Sequence, residues 1–322
     1  MRKSNTNATA QTLYIVIPCY NEEAVIQETA KRLLAKLDKL IQKNQIDKKS
    51  RAIFVDDGSR DDTWKLIEAL HKKHDLLGGV KLTRNRGHQN ALLAGLMFAR
   101  GNADVVISMD ADLQDDINAI DDMLKAYNNG AEIVYGVRST RAKDSILKRT
   151  TAQGFYRLMS RLGVDSIYNH ADYRLLSKRA LDELASFKEV NLFLRGIIPL
   201  LGFNTATVEY KRAERFAGES KYPFRKMLNF AIDGITSFSI KPLRLVASLG
   251  LGVSGVSFLI MLYSIVIKFM GSAVEGWTFT IISVWFIGGV QMLSIGIVGE
   301  YIGKIYNEVK ARPRFIIEKE IH

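Results

Sequence analysis

A single cysteine, Cys19, serves the whole 322-residue chain, so neither an internal disulfide framework nor a cysteine-built zinc site can form within one molecule. That scarcity fits a reducing, cytosolic setting. The opening stretch, MRKSNTNATAQT, lacks the apolar run that a secretory signal needs, and residues 1–12 are expected to form a flexible tail. There is no internal repeat and no low-complexity segment. The chain is basic without carrying any recognised nucleic-acid-binding module, so nucleic acid is not expected as a partner.

What is present begins with that charge. Forty-five Lys and Arg stand against 34 Asp and Glu, a formal net charge of +11, which suits a protein that meets phosphates or an anionic membrane surface. Near the C-terminus, Leu245 to Ile267 and Trp277 to Gly299 contain no charged residue. Each run spans roughly 35 Å as a helix, enough to cross a bilayer. Lys221, Arg225, Lys226, Lys241 and Arg244 precede the pair, and Lys304, Lys310, Arg312 and Arg314 follow it. By the positive-inside rule both flanks face the cytoplasm, leaving a cell-membrane hairpin of two spans, 245–267 and 277–299, with both chain ends cytosolic. Phe224, Met227, Leu228, Ala231, Ile235 and Phe238 recur at helical spacing just before it. That predicts an amphipathic stretch over 222–244, lying in the membrane interface or packed against the soluble part. Residues 300–322 are expected to return as a cytosolic tail. Gly250, Gly252 and Gly255, with Gly288, Gly289 and Gly296, offer small surfaces for packing the hairpin on itself or between subunits.

Upstream, over 13–221, short β-branched runs alternate with amphipathic stretches. LYIVIP, AIFVDD, VKL, DVVISMD and EIVYGV read as strands, with helices expected near 22–43, 61–74, 90–99 and 117–127. This is the grammar of an α/β fold with a mostly parallel sheet and helices on both faces. Ligands of such sheets bind beyond the carboxyl ends of the strands. Four strands there run into polar clusters: Pro18 to Glu23, Asp56 to Ser59, Asp110 to Asp115, and Gly136 to Arg138. Asp61, Asp62, Asp115 and Asp116 fit helix caps. Asp57, Asp110 and Asp112 are harder to explain that way. Two carboxylates one residue apart repel each other unless a cation lies between them, and hard oxygens suit Mg2+ or Mn2+ with positions left open for phosphates.

The segments IPCYNEE, VDDGSRDDT, LTRNRGHQNALLAG, MDADLQD and GVRSTR, in that order, resemble the inverting glycosyltransferases of the GT-A fold. RFAGESKYPFRKM and GEYIGKIYNEVKARPRF extend the resemblance to their polyprenyl-phosphate branch, the bactoprenol glucosyltransferases and dolichyl-phosphate mannose synthases. It covers about Leu13 to Phe315. The resemblance implies that Pro18, Tyr20, Glu22, Val55, Asp57, Asp110, Ala111 and Asp112 hold the nucleotide-sugar. It also implies that Asp110, Asp112 and Gln114 bind the metal, and that Arg138, Arg215, Ser220 and Lys221 meet the acceptor phosphate or the diphosphate, with Arg141 nearby. Asp172, in HADYRLL, matches a catalytic carboxylate of related enzymes; its competing reading is a salt bridge to Arg174 or Arg179. Arg138 and Asp172 are thus the expected catalytic pair.

The implied reaction is inverting transfer from a nucleotide-sugar to a polyprenyl phosphate such as undecaprenyl phosphate at the cytosolic face. UDP-glucose is the favoured donor, then UDP-N-acetylglucosamine, then GDP-mannose. Such an acceptor needs no strong base, because a phosphate monoester is largely ionised at neutral pH. His88 and His170 are accordingly read as structural hydrogen-bonders, and Asn85, Arg86 and Gly87 as a tight loop near the nucleotide. A different acceptor, or a membrane protein that only binds nucleotide-sugars, stays open as the alternative. A processive synthase is disfavoured by the absence of a Gln-x-x-Arg-Trp segment and of further spans. A homo-oligomer is a further expectation of the resemblance.

Overall fold

The computed structural model describes residues 10–139, 170–213, 239–270 and 276–322. These divide into two compact units, one built from residues up to 213 together with 312–322, the other from residues 239–311. Arg141, Arg215, Ser220 and Lys221, the expected interfacial stretch up to 238, and the first nine residues lie outside the described residues.

The first unit is an eight-stranded sheet in the order β7-β5-β6-β4-β1-β2-β3-β8. Its strands are β1 (Leu13–Cys19), β2 (Arg51–Asp56), β3 (Leu77–Leu82), β4 (Val105–Ser108), β5 (Ile133–Arg138), β6 (His170–Ser177), β7 (Thr205–Tyr210) and β8 (Ile317–Ile321). Parallel pairing joins β1 to β2 and β4, β2 to β3, and β5 to β7, whereas β6 runs antiparallel to both β4 and β5, and β8 antiparallel to β3. Six of the eight strands therefore point one way, and the mostly parallel α/β sheet expected of a GT-A-like fold is what the chain forms.

Between the strands run α1 (Ile26–Gln42), α2 (Thr63–His71), α3 (His88–Arg100), α4 (Ala119–Asn128), α5 (Lys178–Leu184) and α6 (Leu194–Leu200). The alternation of apolar residues explains their seating. Ile26, Ala30, Leu33, Leu37 and Leu40 recur every three or four positions on α1 and are buried against β1 and β2 residues such as Ile15, Ile17 and Phe54. Gly95 lets α3 approach the sheet closely: a Cβ there would stand 2.6 Å from Val55 Cγ2 and collide with Val16.

Three strands were not foreseen as such. The HADYRLL segment becomes β6, whose reversed direction brings its first residues to the same edge as the carboxyl ends of β1, β2 and β4. TATVEY becomes β7, parallel to β5. The third is β8. The stretch expected as a free tail instead closes the β3 side of the sheet, with Lys81 and Lys319 bridging to Glu318 and Glu68 at 2.8 and 2.7 Å.

The second unit contains α7 (Lys241–Phe269) and α8 (Trp277–Lys310). Two windows, Lys241–Ile260 and Phe286–Lys310, are long and apolar enough to cross a membrane, and neither is buried within the protein. Leu251, Phe258, Phe286 and Met292 are more than half exposed, an arrangement that water would penalise along two whole helices. α8 covers the expected second span and continues past Gly299 as one helix to Lys310. At 34 residues it is about 51 Å long. Tyr301 donates to the Ser239 carbonyl at 2.5 Å, tying the entry of this unit to the outer half of α8.

Candidate active site

The carboxyl ends of β1, β2, β4, β5 and β7 and the amino end of β6 share one edge, and the polar residues singled out in the sequence gather there. Asp57 follows β2. It is almost completely buried, and both its oxygens accept backbone N–H groups, from Arg86 at 2.7 Å and Gly87 at 2.9 Å. Burial raises its pKa, and those two hydrogen bonds work against the rise. The carboxylate thus pins the Asn85–Gly87 loop that begins α3. Gly58 completes the turn: its φ is +65°, and a Cβ would lie 2.6 Å from the Arg84 backbone, so only glycine fits. Asp56, just before it, is buried with Oδ2 lacking any hydrogen-bond partner among the described residues.

The expected nucleoside residues divide into two groups. Tyr20 and Glu22 are partly exposed on the turn after β1, where Asn21 adopts a left-handed φ of 53° and Ser59 and Thr63 accept the Asn21 and Glu22 amides. Pro18 and Val55 are buried strand residues, and the Val55 side chain packs towards Gly95 of α3, so these two can meet a ligand only through backbone.

After β4 comes the Asp110–Asp116 turn. Leu113 sits at its apex with φ 60°, an unusual conformation for a leucine and a sign that the turn is held by its surroundings. Thr29 Oγ1 donates to the Ala111 carbonyl at 2.9 Å, and Asp112 Oδ1 accepts the Gln114 amide at 3.2 Å. Gln114 is tied to the strand-exit segment after β7: the Ala213 amide donates to its carbonyl at 2.9 Å, and the Arg212 guanidinium donates to its side-chain oxygen. Asp110 lies beside His88 and Asp172. Its pKa is raised, first by burial and then by the neighbouring charges of Asp172 and Asp112, against the pull of His88.

Asp172 meets its salt-bridge reading in part. It stands in the carboxylate cluster, and it is also an ion-pair partner, of Arg174 and of Arg195 rather than Arg179, which turns to Glu132. Arg195 grips it with two nitrogens, at 3.2 and 3.1 Å, while His88 Nε2 lies 3.4 Å from its Oδ2 and 3.8 Å from Asp110 Oδ1. Burial alone would raise the Asp172 pKa, but His88, Arg195 and Arg174 together hold it well below the ordinary carboxylate range. The His88 imidazole responds in kind: burial lowers its pKa, and the Asp172 and Asp110 carboxylates more than offset that, leaving it raised. His88 thus bridges Asp172 and Asp110 at the centre of the cluster, a wider contact than the structural hydrogen bond its sequence position suggested.

Asp115 corrects the capping expectation. Asp61 accepts the Thr63 amide at 3.1 Å just before α2 and Asp116 accepts the Asn118 amide at 2.9 Å just before α4, but Asp62, the residue at the start of α2, makes no cap bond and pairs with Lys65 at 2.7 Å. Asp115 instead turns inward, 3% exposed, to accept the Tyr210 hydroxyl at 2.5 Å. Arg138, the last residue of β5, is half-buried with its Nε 3.4 Å from the same hydroxyl. Arg195 and Tyr210 were the residues that sequence reasoning passed over; each is recognised only through a partner distant in the chain, Asp172 and Asp115 respectively.

The cluster can be tested for fit to the divalent cation that the resemblance implies. Among the described residues no three His, Cys, Asp or Glu side chains converge into a closed cage. A cation here would rest on the oxygens of Asp110, Asp112 and Gln114, a hard set with positions left open for substrate. The Asp110 and Asp112 carboxylates supply the like charge that a cation would neutralise, and the Gln114 side-chain oxygen, which accepts from the Arg212 guanidinium, would exchange that contact for the cation. The residues fit.

The family model for glycosyl transferase family 2 matches residues 14–185, and that for the GtrB C-terminal hairpin matches residues 241–305. The chain is 52% identical over 310 residues to the Uncharacterized glycosyltransferase YkoT of Bacillus subtilis, covering 96% of this chain and 92% of that one. It is 40% identical over 307 residues to the SfII prophage-derived bactoprenol glucosyl transferase of Shigella flexneri, covering 95% and 97%. A prophage bactoprenol glucosyl transferase homolog of Escherichia coli is 39% identical over 307 residues, with 95% and 98% covered.

Proposed function

The chain belongs to glycosyl transferase family 2, and from that premise we propose that it moves glucose from UDP-glucose to a polyprenyl phosphate, undecaprenyl phosphate being the type. It is a glycosyltransferase; the donor, the acceptor and the face of the membrane are the proposal. The observation that carries it is the likeness to bactoprenol glucosyl transferases over 95% of the chain, hairpin included, so that catalytic sheet and lipid-facing helices match together. We take residues 13–221 as the catalytic part, facing the cytosol, and 245–299 as the hairpin anchor.

In the transfer, an oxygen of the acceptor phosphate forms the new bond to the anomeric carbon while the bond to the nucleoside diphosphate breaks on the opposite face. The leaving oxygen takes the electron pair. A divalent cation held by Asp110, Asp112 and Gln114 would supply charge neutralisation for the diphosphate. The residues of the chain do the rest. Tyr20 and Glu22 border the nucleoside side, and Asp57 fixes the loop that closes it. Arg138 offers a guanidinium to a phosphate, as a planar donor suited to two oxygens. Asp172, locked in its pairs with His88, Arg174 and Arg195, orients that ionic group. It has no need to take a proton, since the acceptor arrives ionised. Arg215, Ser220 and Lys221 are assigned to the acceptor phosphate on the strength of the resemblance.

The test is transfer of radiolabelled sugar into an organic-extractable lipid by the purified chain in detergent, with undecaprenyl phosphate and Mg2+ or Mn2+. UDP-glucose, UDP-N-acetylglucosamine and GDP-mannose are supplied separately. Label entering the lipid from UDP-glucose alone, lost with chelator and in Asp112→Ala, is the expected result. Label from another donor reassigns the sugar, and nucleotide binding without lipid labelling refutes the acceptor.

A further inference from the structure

Among the described residues, a buried polar chain that this reaction scheme leaves without a role runs between Arg138 and the Asp110–Gln114 turn. Tyr210 ends β7 exactly opposite Arg138 in the parallel register of β5 and β7, and its carbonyl accepts from the Ser139 amide at 2.9 Å. Its hydroxyl is a single oxygen with two tasks. It donates to Asp115 Oδ1 at 2.5 Å and accepts from Arg138 Nε at 3.4 Å. Asp115 Oδ2 in turn faces the Asp110 amide at 3.5 Å. Donor and acceptor roles run consistently along the path: guanidinium to phenol, phenol to carboxylate, backbone amide to the same carboxylate. Asp115 and Tyr210 are both only 3% exposed.

A second tyrosine supports the first. Tyr173, fully buried and adjacent to Asp172, packs edge-on against Tyr210 with ring centroids 5.3 Å apart, and its hydroxyl donates to the Asp116 carbonyl at 3.0 Å. The turn bearing the aspartate pair is therefore held from beneath at two successive residues. A carboxylate is a costly group to bury for packing alone, since a buried acceptor must be fully partnered and an apolar side chain would fill the same space. Its placement makes sense if what it fixes is a distance.

We propose that Tyr210 and Asp115 are positioning residues for the transfer, forming one buried strut that sets Arg138 at a fixed spacing from the Asp110–Asp112 pair. Arg138 meets a phosphate and the aspartates meet the cation, so the strut determines whether both act on the substrates together. This rests on the function proposed above.

The test is a double-mutant cycle on kcat/KM in the lipid-transfer assay, using the full chain in detergent, with Tyr210→Phe, Arg138→Lys and the double variant. Phenylalanine keeps the ring against Tyr173 and removes only the hydroxyl, so thermal melting close to wild type is expected. Tyr210→Phe should lower kcat/KM about tenfold, the size of a lost hydrogen bond to a charged group, and the double variant should be no worse than Arg138→Lys alone. Asp115→Asn should raise the Mn2+ concentration for half-maximal transfer by a similar factor, a readout that packing alone would not move. Wild-type kcat/KM in Tyr210→Phe, or losses that multiply in the double variant, would overturn the inference while leaving the enzyme's reaction intact. A wild-type chain that transfers no label from any donor defeats the functional reading first, and the strut with it.

Discussion

Asp115→Asn should make the protein more stable at neutral and alkaline pH and somewhat less stable in acid. The Asp115 carboxyl has its pKa raised to about 6, chiefly by burial and then by the nearby Asp110 charge, with the Tyr210 hydroxyl and Arg138 opposing. In the unfolded chain the same group titrates near its usual value of about 4. Between those two values the folded state holds the proton more tightly than the unfolded state does, so stability falls as pH rises through the window. A shift of roughly two units corresponds to about 3 kcal/mol, fully lost above about pH 7 and restored below about pH 4. Asparagine carries no charge to desolvate. Its carbonyl oxygen can still accept from Tyr210, while its amide would face the Asp110 N–H, so part of the gain is returned, leaving a net of about 1–2 kcal/mol. The assay is thermal melting of wild type and variant in detergent with EDTA, from about pH 4.5 to about pH 8. The difference between the two proteins carries the Asp115 titration together with the change it makes to the neighbouring Asp110 carboxyl. A difference that stays flat across the range would refute the reasoning, and so would one that grows towards acid.

Three other outcomes are expected. Gly95→Ala gains helix propensity but drives a Cβ to 2.6 Å from Val55 Cγ2, so a net loss of about 1–2 kcal/mol should appear as a lower melting temperature with unchanged KM values. Deleting residues 317–322 removes β8 and uncovers the β3 edge. The ion pairs lost are exposed and weak, yet the bared strand should lower the melting temperature and promote aggregation, measured by light scattering on heating. Arg195→Ala strips Asp172 of its two-pronged partner at 3.1–3.2 Å; kcat should fall at least tenfold while nucleotide affinity, read by calorimetry, stays within about twofold.

Much of this molecule is legible in its sequence because its strands are buried on both faces and stop abruptly. LYIVIP and AIFVDD become β1 and β2, and the change from apolar run to Asp-Asp-Gly or Asp-Ala-Asp marks where backbone leaves the sheet and ligand chemistry begins. The same local signals mislead wherever a distant partner decides. Asp115 stands two residues before Ile117, as a helix cap would, but the Tyr210 hydroxyl, 95 residues away, draws it inward. VKL hinted at a short third strand; β3 is six residues long and begins with Leu77-Gly78-Gly79, where the glycines make room for the Ile321 carbonyl of β8 and for Ile67 and Trp64 of α2. Glycine is a poor strand former in isolation, so the need for it is visible only once the neighbouring chains are in place. The basic C-terminal residues likewise gave no strand pattern of their own, because IEKEI pairs along one exposed edge and buries little.

The placement of Asp172 also bears on how a family 2 site can do without a base. A general base works best with a pKa near the working pH, whereas this carboxylate is held well below its ordinary range by His88, Arg195 and Arg174. To accept a proton it would have to give up part of three ionic contacts. Its fixed negative charge has another effect, which is to keep two arginines and a histidine assembled beside Asp110 and Asp112. Without it the two arginines would repel one another, and without them the three carboxylates would do the same. The site is thus an interlocked lattice of opposite charges, prepared before any substrate arrives. In the proposed reaction a diphosphate and a phosphate monoester would bring more negative charge into it, and the catalytic demand becomes one of matched cations and spacing, with no proton to be removed. An acceptor that is already ionised, as the proposed polyprenyl phosphate is, suits such an arrangement.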